Sequence, residues 1–146
     1  MYHRIFPSII LLVISLHLAA QNHQILDNNI QTLQVVAGDR WTEMPIISLN
    51  GTRTNDVLNI SFDDMTHRYR RFSYKIQHCE ADWSPSEALF ESDYIDGFYN
   101  GITIDDVTES VNTQMLYTHY RFHFPNSQCQ VKMSGNYILT VYDDNA

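Results

Sequence analysis

Two cysteines, four prolines and five glycines in 146 residues leave several classes of protein without support. A single pair of thiols cannot build a disulfide scaffold. So little Pro and Gly excludes collagen-like and low-complexity chains. Basic residues are scarce too: nine Lys and Arg against seventeen Asp and Glu give a net charge of −8 with His neutral. A chain of that sign repels a phosphate backbone, so nucleic acid is not an expected partner. What is present is ordinary in amount, with 44% hydrophobic and 18% charged residues. That composition suits one globular domain, and the length leaves no room for two cores.

The apolar run of the chain lies at its start. Met1–Ala20 (MYHRIFPSIILLVISLHLAA) carries Arg4, then a mainly apolar stretch from Ile9 to Leu18, then Ala19 and Ala20 before polar Gln21 and Asn22. Basic, apolar and small-residue regions in that order read as a secretory signal peptide over residues 1–20. The stretch is short for a membrane span, which needs about 20 apolar residues. Cleavage there removes one basic residue, Arg4, and takes the net charge from −8 to −9. Residues 21–29 are polar and read as a flexible lead-in to a domain spanning 30–146.

From there the dominant period is two. Leu58, Ile60 and Phe62 alternate with polar neighbours, as do Phe72, Tyr74 and Ile76, then Tyr120, Phe122 and Phe124, then Tyr137, Leu139 and Val141. Successive strand side chains point to opposite faces, so each run reads as a strand with one buried face. Weaker strand candidates are Ile30–Val36, Ile46–Leu49 and Ile102–Val107. Turn pairs such as Asn50-Gly51, Asn100-Gly101 and Ser134-Gly135 separate the runs. No sustained helical stripe occurs, and Asp82–Thr113 is the least regular stretch, expected to be a crossing loop with one short strand. An all-β sandwich or barrel follows.

One local pattern refines the topology. Tyr137 opens a strand after Ser134-Gly135-Asn136, with Leu139 two residues on. In immunoglobulin-type sandwiches a Tyr at this point of strand F bonds back to the backbone as a tyrosine corner, two residues before the second core Cys. Leu139 stands where that Cys would be. With Tyr137–Tyr142 as strand F, the last strand of such a sandwich is missing and its sheet edge is open. The chain then reads as the front portion of a longer protein. If Phe72–Cys79 is strand C and pairs with F, Cys79 and Cys129 come close enough for a disulfide, with two unpaired buried thiols as the equal alternative.

Catalytic patterns are lacking. The sequence has no Gly-x-Ser-x-Gly, no phosphate-binding Gly loop and no His-Glu-x-x-His. His119 and His123 share a strand face, where a four-residue step spans roughly 13 Å, too far for one tetrahedral zinc. His78 falls on an apolar face and reads as a hydrogen-bonded interior histidine. The doublets Asp63-Asp64, Asp105-Asp106 and Asp143-Asp144 read as turn residues at strand ends. No catalytic residue, cofactor or metal ligand is expected. Aromatics are the remaining feature: Trp83, Tyr94, Phe98 and Tyr99 sit in the irregular stretch, either as a contact surface or as pins holding the loop to its own sandwich.

Four ordered blocks carry a resemblance: His78–Trp83 (HCEADW), Tyr94–Phe98 (YIDGF), Tyr117–Phe122 (YTHYRF) and Ser134–Leu139 (SGNYIL), joined by Pro45–Asn50 (PIISLN) and Leu58–Asp64 (LNISFDD). Together they resemble the N-terminal domain of the type IX secretion system plug protein family, from about Ile30 to the C-terminus. The resemblance implies an immunoglobulin-like first domain of a longer protein. It also implies a non-catalytic role in the periplasm at the outer membrane. The implied partner is the outer-membrane translocon barrel, whose pore such proteins close; no small-molecule substrate is implied. The rival reading is a secreted carbohydrate- or protein-binding sandwich with Trp83, Tyr94 and Tyr99 as a stacking platform.

Overall fold

The computed structural model describes residues 23–50, 53–54 and 57–145. The expected signal peptide and the Gly51 half of the Asn50-Gly51 turn lie outside the described residues. Two antiparallel sheets face each other across one core. The first has the order β1 (Ile30–Ala37), β4 (Leu58–Asp64), β9 (Thr118–Phe124), β8 (Asp106–Glu109). The second has the order β11 (Asn136–Asp143), β5 (Phe72–Cys79), β7 (Ile102–Thr103). Two small ribbons complete the fold: β2 (Leu49–Asn50) with β3 (Arg53–Thr54), and β6 (Ile95–Gly97) with β10 (Cys129–Val131).

The inward residues of the alternating runs meet in the middle. Ile60, Phe62, Tyr120 and Phe124 come from the first sheet, and Phe72, Tyr74 and Ile76 from the second. Phe62 stacks on Tyr120 at 5.2 Å between centroids, and Phe72 meets both edge-on at 5.2 and 4.9 Å. Each such contact is worth about 0.5–1.5 kcal/mol beyond simple burial. Tyr74 stacks on Phe122 at 4.8 Å, linking the sheets a second time.

The strand pair expected from the Tyr137 pattern forms: β11 runs antiparallel to β5, with Tyr137 opposite His78 and Asp143 opposite Phe72. Among the described residues no strand pairs with the outer edge of β11. All eight of its residues are half-buried.

Three expectations are corrected. Ile102–Val107 is not one strand. Ile102 and Thr103 pair with β5, Ile104 plugs the core, and Asp106 onward pairs with β9, so the chain changes sheets in two residues. Of Ile46–Leu49 only Leu49 is in a strand. The stretch Asp82–Thr113 holds a one-turn helix, α1 (Glu91–Tyr94), and three short strands rather than one. Gly97 shows why a tight ribbon forms there: its φ is +101°, and a Cβ would run into the carbonyl oxygen of Gln128. Only glycine meets both demands.

Candidate functional site

The aromatic loop divides into an inside and an outside. Tyr94, at the end of α1, is 6% exposed and belongs to the core. Its carbonyl accepts from the Lys132 amide at 2.9 Å. Of the two alternatives for the loop, Tyr94 is a pin that holds it to the sandwich, and its ring is not open for the platform of the rival reading. Phe98 and Tyr99 remain outside, at 67% and 42% exposure. Tyr99 is fixed through its carbonyl, which accepts from the Ile76 amide of β5 at 2.7 Å. Phe98 donates its amide to Gln128 at 2.8 Å. The two exposed rings are thus carried on braced backbone. Trp83 is half-buried, with φ at +68° in the turn closed by its amide bond to the Glu80 carbonyl.

Beside Tyr94 lies an aromatic–histidine cluster. His78 is 9% exposed, and its Nδ1 lies 2.8 Å from the Ser86 hydroxyl. Its ring meets Tyr94 at 5.6 Å and Tyr137 edge-on at 5.1 Å. The Tyr137 hydroxyl donates to the Met133 carbonyl at 2.7 Å, four residues upstream, and closes the turn into β11. Burial holds the Tyr137 phenol protonated well above its ordinary range. Gly135 is packed so closely on the His78 ring that a Cβ would collide with Nε2.

Both cysteines are free and buried, so the disulfide between Cys79 and Cys129 is not formed. Burial pushes the Cys129 thiol up to about 12 and raises that of Cys79 as well. Burial thus disfavours the thiolate, the nucleophilic form, at both positions. His119 rests its Nδ1 2.6 Å from Asp63, and His123 points to solvent one step further along. Among the described residues no group of three or more His, Cys, Asp or Glu is placed to hold a metal ion.

The acidic doublets do more than turn the chain. Arg70 gathers three carboxylates: Asp27 from the lead-in at 2.9 Å, Asp143 from the end of β11 at 2.8 Å, and fully buried Asp64 at 3.6 Å. Its guanidinium also covers the Phe72 ring at 4.9 Å. Burial opposes the charge of Arg70, but the bonds to Asp143 and Asp27 outweigh it and bind the proton more firmly. The backbone of Arg70 exchanges two 2.9 Å bonds with the Tyr120 hydroxyl, donating from N–H and accepting at C=O. Arg71 pairs with Asp144 at 3.1 Å, and Arg121 with Asp106 at 3.2 Å. Each doublet thus supplies a partner for an arginine. The sequence holds no local sign of the Arg70 cluster, because its members come from four separate segments.

The fold is of the antiparallel two-sheet β class, with the aromatic rings of Phe98 and Tyr99 exposed on one loop. Comparison with known proteins narrows that class. The family model for the type 9 secretion system plug protein first domain matches residues 30–146, and the chain belongs to that family. It is also similar to the crystal structure of a hypothetical protein from Parabacteroides merdae ATCC 43184, with 38% identity and a TM-score of 0.75. That match covers 82% of this chain and 29% of the other, so this chain spans less than a third of that protein. No curated protein matches. Among the described residues no helix is long and apolar enough to cross a membrane.

Proposed function

We propose that this chain is a non-enzymatic, periplasmic part of the type 9 secretion machinery that helps close the pore of the outer-membrane translocon. The observation that carries the reading is the family match across the whole described domain. A wide β-barrel leaks solutes unless its mouth is covered. A sandwich held by a continuous aromatic core is stiff enough to cover it. The exposed pair Phe98 and Tyr99 supplies contact: aromatic side chains on fixed backbone give large apolar area with little entropy to lose on binding. The signal peptide over residues 1–20 delivers the chain to the periplasm, and no cofactor or small-molecule substrate takes part.

Co-expression with the translocon barrel tests this. The barrel is expected to retain the chain on affinity capture, and F98A/Y99A is expected to weaken retention while the melting temperature stays unchanged. Failure of the native chain to co-purify, or its recovery from the cytoplasm with residues 1–20 intact, would overturn the proposal.

A further inference from the structure

The outward face of the first sheet carries a groove of about 670 Å³. Its position follows from register. Gln34 of β1, Ser61 of β4 and Arg121 of β9 lie side by side across the three strands on the same outward face. Val36, two residues on from Gln34, is 9% exposed and forms an apolar floor. Trp41 forms one wall and is 71% exposed, which is unusual for the largest apolar side chain.

The turn that displays Trp41 is built rather than loose. The Gly38 amide donates to the Val57 carbonyl at 2.8 Å, and the Asn59 side chain donates to the Gly38 carbonyl at 2.7 Å. Arg40 donates its amide to Ala37 at 3.0 Å and pairs with Glu43 at 3.1 Å. The backbone that carries the indole is therefore fixed, so little backbone entropy is lost when something stacks on Trp41.

The polar lining decides what fits. Arg121 is already paired with Asp106, so the groove offers no free guanidinium to a phosphate or carboxylate. Asp39 adds a negative charge, and the chain as a whole is at −8, which disfavours an anion further. What remains are planar amide, carboxylate, guanidinium and imidazole groups, the last from His119, paired with Asp63, and His123, together with the Ser61 hydroxyl and an aromatic wall. A pyranose matches both halves: its C–H face packs on an indole while its hydroxyls donate to and accept from planar polar groups. We propose that this groove binds a neutral oligosaccharide, with Trp41 as the stacking surface.

The probes are cellohexaose, mannohexaose and chitohexaose, added separately to the full chain. The chain has two tryptophans, Trp41 and Trp83, so its two indole N–H resonances can be assigned with W41F. At least one hexasaccharide is expected to shift the Trp41 resonance at sub-millimolar concentration and leave Trp83 in place. W41A is expected to lower the affinity about tenfold or more with an unchanged melting temperature, since each tenfold step is the scale of one good contact. Three results would overturn the proposal. They are no shift at millimolar sugar, equal affinity in W41A, or a Trp41 response to an uncharged Gly-Ser-Leu hexapeptide that exceeds the response to every sugar.

Discussion

Where Phe72 faces Asp143, the β5–β11 ladder is closed by charge: Arg70 holds Asp27, Asp64 and Asp143. Where Cys79 faces Asn136, the same ladder is closed without charge pairs, by His78, Tyr94 and Tyr137 packed ring to ring and by two hydroxyl hydrogen bonds. The contrast follows from what each end must join. The charged end ties Asp27 of the lead-in, Asp64 of β4 and Asp143 of β11 to the partly exposed Arg70, and long-reaching ionic groups can span that gap. The aromatic end sits under the α1 loop, where an unpaired charge would cost several kcal/mol, roughly, on burial. One strand pair therefore has two locks with different sensitivities.

The charged end should break most severely. R70A leaves the fully buried Asp64 carboxylate without its cation, a loss expected at about 3–5 kcal/mol in urea denaturation. A shift below about 1 kcal/mol would mean that the Asp64–Arg70 contact contributes little to stability. The same end should respond to acid. The backbone amides of Asn29 and Asn145, with Arg70 second, hold Asp27 and Asp143 below their ordinary value of 3.8. Folded-state values below the unfolded ones stabilise at higher pH, and that contribution is lost as pH falls through the lowered values. The urea midpoint of the native chain is therefore expected to drop on acidification below 3.8, and less steeply in R70A. Equal slopes would detach the effect from Arg70.

At the aromatic end, Y94A should cost about 3–5 kcal/mol, since it opens a cavity beside His78. F98A, only four residues away, should stay within about 0.5 kcal/mol because its ring faces solvent. Comparable losses would erase the inside–outside division of the loop. Between these lies Y137F, which removes one hydrogen bond and should lower stability by about 0.5–1.5 kcal/mol without changing the m-value. An unchanged midpoint would show that the Met133 carbonyl finds water in its place.

Much of this was legible beforehand. The runs at Leu58, Phe72, Tyr120 and Tyr137 form strands with the expected faces inward, and β5 pairs with β11 as the Tyr137 pattern requires. His78 is the interior, hydrogen-bonded histidine that its apolar face suggested. The short elements were not legible. β7 and β8 share one alternating run, Ile102–Val107, and nothing local marks the point where the chain changes sheets. Tyr94 and Phe98 are both aromatic in an aperiodic stretch, so no pattern sorts core from surface. The acidic doublets look alike in sequence, yet Asp64 is fully buried while Asp106 pairs at the surface.

Alternation by twos, the scarcity of Gly, Pro and Cys, and four ordered blocks were enough to establish an all-β domain of a secretion plug family. Those signals are local, and a strand's two faces are written into consecutive residues. The assembly of Asp27, Asp64 and Asp143 around Arg70, the turn that holds Trp41 over a sheet face, and the burial of Tyr94 depend on residues brought together from distant parts of the chain. Only packing two sheets against each other decides which of those side chains meet, because their contacts have no period along the sequence.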